Sequence, residues 1–332
     1  MEALQTMVRR DRLASDTPFT GRTLQVIGDF NRDERLYLFE QARRLKAVIR
    51  ARDHESMEEF RIGDADFGIY EVFLEDSTRT RESFKNAAEF HRAKSLELNA
   101  ASSSFNKSES YADTFANLIG YDNKIFVVRS RLEGVCRYLA ERTHAYVTRQ
   151  GFPESVSFIN AGDGRHEHPT QELLDEFTFL EDLDWSPESI HLAMVGDLYH
   201  GRTVHSKVRG LNLFGTVRVD LVAPPELAMP CHYVHAMETE GYQVRVFESI
   251  DSYLESADVA PLWYFTRPQI ERMGERILRR QEELRAAITF RAELANRVNP
   301  GTTFYHPLPR HRNHPTIPTA LDNTPLNGWE RQ

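Results

Sequence analysis

Apolar positions fall along this chain in two rhythms. Between residues 33 and 51, Leu36, Leu38, Phe39, Ala42, Leu45, Val48 and Ile49 recur among charges at close to helical spacing. That spacing predicts an amphipathic helix with a solvated opposite face. Elsewhere the apolar residues gather in short β-branched or aromatic runs. These predict strands at residues 70–74, 95–99, 124–128, 145–148 and 156–160, and in the second half at 191–195, 217–222, 244–247, 259–264 and 303–305. Helical patterns separate most of them. Strand alternating with helix is the signature of parallel sheets covered by helices, so the expected fold is α/β with two doubly wound parallel-sheet domains and an active-site cleft between them. The seam is expected in the turn-rich Ala161-Gly162-Asp163-Gly164 stretch before His168-Pro169, where Pro169 suits a first helical turn. The domains are therefore drawn at residues 1–165 and 166–332. The charged stretch 269–297 reads as helix, and residues 311–332, rich in Pro, His and Asn, read as loop.

The length of 332 residues agrees with two domains, and an apolar share of 40% with a charged share of 27% is ordinary for a globular chain. Against 50 acidic residues stand 41 Lys and Arg, a net charge of −9. That balance argues against general nucleic-acid binding, which needs a basic surface. Any basic pocket in such a chain is a local feature. Cys136 and Cys231 are the only cysteines, far apart, and form neither a disulfide framework nor a metal knuckle. They suggest a reducing, cytoplasmic setting. No apolar run approaches about 18 residues, and the start of the chain lacks a signal-peptide pattern, so no membrane partner is expected.

Chemistry enters where polar residues follow the apolar runs. After residues 70–74 come Glu75-Asp76-Ser77-Thr78-Arg79-Thr80-Arg81 and then a helical pattern. A helix start offers unpaired N–H groups and a positive dipole end, and Ser, Thr and Arg add donors that fit phosphate oxygens. An ordinary helix cap followed by exposed arginines would look the same. The polar stretch Ser103-Ser104-Phe105-Asn106-Lys107 carries a lone lysine, and Arg129 ends another strand. Asn160 to Gln171, Gly196 to Thr203, Thr266-Arg267-Pro268-Gln269 and His306-Pro307-Leu308-Pro309-Arg310 complete the set. In open parallel sheets ligands gather at the carboxyl ends of strands, so Arg79, Arg129, Arg202 and Arg267 can build a basic crevice. Rival chemistries are weaker. The Gly196–Gly201 segment lacks the G-x-G-x-x-G order and a ribose-binding acid, which disfavours nicotinamide. His166 and His168 alternate in a loop, away from the i, i+4 spacing of a helical metal site. Ser77 and Ser103 lack a nucleophile elbow.

Taken in order, Ser-Thr-Arg-Thr-Arg at 77–81, Ser103 with Lys107 and Glu109, Asn-Ala-Gly-Asp-Gly at 160–164 with His-Pro-Thr-Gln at 168–171, Gly-Asp-Leu and Gly-Arg-Thr within 196–203, and His-Pro-Leu-Pro-Arg at 306–310 resemble the aspartate carbamoyltransferase catalytic chain. The likeness extends over residues 15–332 and belongs to the aspartate/ornithine transcarbamoylase superfamily. Thr-Arg-Pro-Gln at 266–269 and the last motif favour aspartate over ornithine as acceptor. The resemblance implies transfer of a carbamoyl group from carbamoyl phosphate to L-aspartate, in pyrimidine biosynthesis, without a metal or organic cofactor. It implies that Ser77, Thr78, Arg79 and Thr80 hold the phosphate, that Thr80, Arg129 and His168 reach the carbamoyl oxygen, and that Gln171 reaches the carbamoyl amide. Pro307 and Leu308 would offer backbone carbonyls. Arg202, Arg267 and Gln269 would bind the carboxylates of aspartate. Ser103 and Lys107 would enter a neighbouring subunit's site in a homotrimer, Lys107 touching both substrates. Glu75, Arg202, Glu271 and Arg272 would form ion pairs that change as the domains close. Another amino-acid acceptor, or an inactive homologue acting as a scaffold, are the alternatives.

Three departures from the family pattern stand out. Asp76 replaces a proline, and its carboxylate would weaken anion binding unless it points away or pairs with Arg81. Ser130 and Arg131 replace His-Pro after Arg129. A closing C-terminal helix that packs on the first domain in the family is expected after residue 332, and its absence would expose apolar surface. The chain thus reads as shortened, or as part of a protein that goes on into a further segment. Some relatives continue into a zinc-bearing regulatory domain, and a regulatory domain or chain is an expected optional partner.

Overall fold

The computed structural model describes residues 19, 21–63, 67–98, 110–121, 123–151, 156–269 and 279–332. The chain divides into two compact units, with the boundary between Leu173 and Leu174.

The first unit is built on a parallel sheet. Its strands are β1 (Gly68–Phe73), β2 (Lys94–Glu97), β3 (Asn123–Ser130) and β4 (Ser157–Asp163), in the order β2-β1-β3-β4. Both faces are apolar, which is why the strand sequences run nearly continuously hydrophobic. Val72, Phe126, Val128 and Phe158 pack with Phe115, Ile119 and Leu139 of helices Tyr111–Gly120 and Val135–Gln150 on one face. Ile69, Phe73, Val127 and Ala161 pack with Ala88 of helix Thr78–Phe90 on the other. Helix Arg32–Ala51 matches the sequence reading. Asn31 caps it, accepting from Glu34 N while the Glu34 carboxylate accepts from Asn31 N.

One expected strand is corrected. Ala145-Tyr146-Val147-Thr148 lies inside helix Val135–Gln150, which buries Val135, Cys136, Leu139 and Thr143 and lays Tyr146 and Val147 against the same core. The helical period of the longer segment outweighs the local β-branched run.

The second unit carries a five-stranded parallel sheet, β5 (Ser189–Val195), β6 (Thr216–Val222), β7 (Gln243–Phe247), β8 (Leu262–Phe265) and β9 (Thr303–Tyr305), ordered β7-β6-β5-β8-β9. Aromatic rings dominate its core. Trp263 and Phe290 each pack on Phe304, with ring centroids 5.3 and 4.8 Å apart. Of the stretch read as one helix, residues 270–278 lie outside the described residues, Gln281–Ile288 is helical and Ala292–Arg297 is a 3-10 turn. Residues 311–332 are irregular except for the 3-10 turn Thr319–Leu321, yet Ile317, Leu321, Leu326 and Trp329 are buried. Phe304 N donates to Leu326 O and Gly328 N to Phe304 O, so this segment lines the edge of β9. Among the described residues no helix is long and apolar enough to cross a membrane.

Candidate active site

Each sheet reverses its strand order once, between β1 and β3 in the first unit and between β5 and β8 in the second. At such a reversal the connections leave on opposite faces, and a crevice opens at the carboxyl ends of the two strands. Most of the sequence-derived candidates follow these strands, while His168 and Gln171 follow β4 and Pro307 and Leu308 follow β9.

In the first unit Ser77 is the N-cap of helix Thr78–Phe90, but its side chain makes no capping hydrogen bond. Thr78, Arg79 and Thr80 form the first turn, which contains no acidic residue. Thr78 and Arg79 are exposed, and Ser77 and Thr80 are half-buried. The helix thus begins with amide donors, hydroxyls and a cation, the equipment of an anion site. Asp76 is exposed, and Arg81 does not meet it. Arg81 instead donates to Glu97 Oε1 at 3.1 Å.

Arg129 closes β3, opposite Phe73 of β1. The β3–β4 register shifts beside it, between Val128 and Ser130, so β4 holds one residue more than its partner. Arg129 Nη1 donates to Ala161 O (2.9 Å) and stands 3.5 Å from His168 Nε2. Its Nε lies 3.9 Å from the Glu75 carboxylate, which Arg131 also approaches at 3.7 Å. His168 is buried just ahead of helix Pro169–Asp182. Gln171 N donates to its Nδ1 (3.3 Å), with the Thr170 hydroxyl 3.2 Å away. The two ring nitrogens thus each face a donor, Gln171 N at Nδ1 and Arg129 Nη1 at Nε2. The Arg129 guanidinium and the imidazole edge stand side by side, a pair suited to meet a carbonyl oxygen.

A buried polar network holds this loop. Asp163 Oδ2 accepts from Gln25 Nε2 (2.8 Å) and Gly134 N (2.7 Å), and pairs with His166 Nδ1 (3.1 Å). Its Oδ1 accepts from Asn160 Nδ2 (2.9 Å) and Glu167 N (3.0 Å). Burial alone would push this carboxyl up, but the donors outweigh it and hold it below the usual carboxylate range. The hydrogen bond to Asp163 raises His166 in return. Gln25 Oε1 accepts from Cys136 N and Arg137 N, capping helix Val135–Gln150 from more than a hundred residues away. Glu167 is buried, its Oε2 accepts from Ile27 N (2.9 Å), and burial lifts its carboxyl to about 8.

In the second unit Arg202 opens helix Arg202–Gly210 and is half-buried, and Arg267, after β8, is exposed. Gln269 is tied to the loop that follows β5. Its N donates to Asp197 Oδ2 (2.8 Å) and its Nε2 to His200 O (3.0 Å). Asp197 is fully buried and also accepts from His200 N (2.9 Å). Gly196 has φ +125°, and a Cβ there would lie 2.3 Å from Thr266 O, so only glycine lets the two post-strand segments approach this closely. Pro307 and Leu308 follow β9. Leu308 has φ +47°, a strained value for leucine, and its N–H donates to His306 Nδ1 (2.8 Å). Arg310 anchors the loop through both oxygens of Asp322, at 2.6 and 3.0 Å.

The structure brings Arg129 and His168 together, and aligns Ser77, Thr78, Arg79 and Thr80 in one helix start. Gln171 reaches His168 through its backbone N–H. In the second unit Gln269 joins the segment leading to Arg202. Ser103, Lys107, Glu271 and Arg272 lie outside the described residues. Sequence reasoning assigned no role to Gln25, Asp163, Glu167 or Asp197. One signal was present: a Gly-Asp pair ends the apolar runs of both β4 and β5, as Gly162-Asp163 and Gly196-Asp197.

The aspartate/ornithine carbamoyltransferase carbamoyl-P binding domain matches residues 22–181, and the Asp/Orn binding domain of the same enzymes matches residues 188–324. The chain belongs to the aspartate/ornithine carbamoyltransferase family. Among relatives of the chain, the protein PyrBI of Treponema denticola is 62% identical over 317 residues, covering 96% of this chain. The chain spans 59% of that relative's length. The aspartate carbamoyltransferase catalytic subunit of Methanosarcina barkeri is 32% identical over 92% of this chain and 91% of its own. A solved structure of aspartate transcarbamoylase from Trypanosoma cruzi in complex with carbamoyl phosphate superposes with a TM-score of 0.79 at 28% identity, covering 95% of this chain and 92% of that one.

Proposed function

We propose that this carbamoyltransferase transfers the carbamoyl group of carbamoyl phosphate to the α-amino group of L-aspartate, giving N-carbamoyl-L-aspartate and phosphate. The observation that carries the proposal is the pairing of Arg129 Nη1 with His168 Nε2 at 3.5 Å, in the unit whose helix Thr78–Phe90 begins with Ser77, Thr78, Arg79 and Thr80. The first unit binds the donor. The helix start and Arg79 hold the phosphate, and Arg129, His168 and Thr80 take the carbonyl oxygen. Gln171 meets the carbamoyl amide. In the second unit Arg202, Arg267 and Gln269 bind the two carboxylates of the acceptor.

The amine attacks the carbamoyl carbon, the new C–N bond forms, the C–O bond to phosphate breaks, and the proton lost by the amine leaves with the phosphate. Charge grows on the carbonyl oxygen and on the departing phosphate. Donors fixed before the reaction stabilise that charge more in the transition state than in the ground state. The assembly we propose is a homotrimer in which Ser103 and Lys107 complete a neighbouring subunit's site, and the likeness to transcarbamoylase catalytic chains supports it.

The test is product analysis with carbamoyl phosphate and either aspartate or ornithine. Carbamoyl-aspartate should form, and Arg129→Ala should lower kcat by about 10²–10³-fold, the loss typical of one oxyanion donor. Preference for ornithine, or no turnover with either amine, refutes the reading.

A further inference from the structure

We propose that Glu167 is a positioning residue for His168: its buried side chain ties the loop before His168 to the Gln25–Asp29 segment and so sets where the imidazole stands beside Arg129. The inference rests on the carbamoyl-transfer reading for its link to catalysis, but its geometry is independent of that reading.

Glu167 is held at three points next to His168. Its N–H donates to Asp163 Oδ1 (3.0 Å), its carbonyl oxygen accepts from Asp163 N (3.2 Å), and its carboxyl Oε2 accepts from Ile27 N (2.9 Å). Ile27 is itself fully buried, and Asp29 Oδ2 pins the segment around it by accepting from Gln25 N (2.7 Å) and Val26 N (2.9 Å). Glu167 and His168 are adjacent in the chain, so fixing Glu167 at these points restricts the backbone from which the imidazole projects. The imidazole's place then decides whether Nε2 sits beside Arg129 Nη1.

The charges around Glu167 make the anchor pH-sensitive. On its own loop His166 favours the carboxylate and Asp163 disfavours it, and Glu172 on the following helix also disfavours it. Beyond Ile27, Asp29 is paired with Arg137, and Glu133 acts on His166. Burial is the largest influence, so the carboxyl keeps its proton to about pH 8. Above that, a carboxylate occupies the same buried place against Asp163 and Glu172 while its bond from Ile27 N strengthens, so both the field and the tether beside the imidazole change.

The experiment follows the His168 ring in protein labelled with 13C at histidine Cε1, its resonance assigned from its loss in His168→Gln. In the parent protein the resonance should shift with an inflection near pH 8. In Glu167→Gln, which keeps an acceptor oxygen but cannot titrate, that inflection should vanish. In Glu167→Ala the resonance should be displaced at every pH. The pH profile of kcat should lose the same inflection in Glu167→Gln. An inflection that persists in Glu167→Gln, or a resonance unmoved in Glu167→Ala, overturns the proposal. A parent protein without turnover whose His168 resonance behaves as expected leaves the positioning role standing and refutes the carbamoyl-transfer reading instead.

Discussion

Asp163→Asn replaces a carboxylate by a side chain of nearly the same shape, so its effect isolates hydrogen-bond logic from packing. Every partner of this fully buried group is a donor: Gln25, Gly134 and His166 at Oδ2, and Asn160 and Glu167 at Oδ1. The amide of asparagine must point its NH2 toward one of these sets. If it faces Oδ2's partners, the Gln25 amide and the Gly134 N–H are left without an acceptor. If it faces the other set, the Asn160 amide and the Glu167 N–H are. Either orientation orphans at least two donors, each costing about 1–3 kcal/mol where buried, so the fold should lose about 2–6 kcal/mol. The loss is largest at neutral pH. Asp163 is held below the usual carboxylate range, so its stabilisation is present above the unfolded pKa and disappears as acid protonates the folded form. Urea unfolding of both proteins at pH 7 and at a pH well below 3.8 measures this. A loss under about 1 kcal/mol at pH 7, or an equal loss at both pH values, refutes the reasoning.

Three further outcomes are expected. The Glu167 carboxyl rises from 4.5 to about 8, and a folded-state value above the unfolded one contributes stability that is complete at low pH and drains away as pH climbs to about 8. Glu167→Gln should therefore match the parent at pH 4.5 and exceed it by as much as about 5 kcal/mol above pH 8, with parallel stability curves counting against it. Gly196→Ala must place a Cβ against Thr266 O at an unfavourable φ, which should cost at least about 1–3 kcal/mol in thermal or chemical unfolding. Lys207 pairs with Asp175 in a fully buried site, its ammonium 3.9 Å from the Tyr264 ring centroid. Lys207→Met should cost about 3–5 kcal/mol by stranding that carboxylate, and a second change, Asp175→Leu, should recover much of it, whereas additive losses would contradict the pairing.

Two parallel sheets were legible because strands buried on both faces read as continuous apolar runs, as in Ile125-Phe126-Val127-Val128 and Leu192-Ala193-Met194-Val195. Ala145 to Thr148 misled for the converse reason. A four-residue run cannot reveal its period, and only the spacing of Cys136, Leu139 and Thr143 marks the helix. Candidate residues at strand ends were legible as motifs, and the strand order accounts for their repetition at the same topological place. What stayed hidden was the buried wiring. Asp163 meets Gln25 from 138 residues away and Asp197 meets Gln269 from 72, and no local pattern announces a partner at such a distance. Charge on Asp163 or Asp197 looked like surface because carboxylates usually are.

The irregular segment along β9 has a consequence for how this protein exchanges hydrogen with its solvent. Stretches without helix or strand ordinarily lose their amide protons to deuterium quickly. Here Gly328 and Phe304 bind each other's neighbourhood through backbone N–H groups, in a segment whose Trp329 and Ile317 are buried. Deuterium should enter these two amides only as slowly as it enters the central strands of the second unit, so in a protection map a stretch with almost no helix or strand would carry strand-like protection.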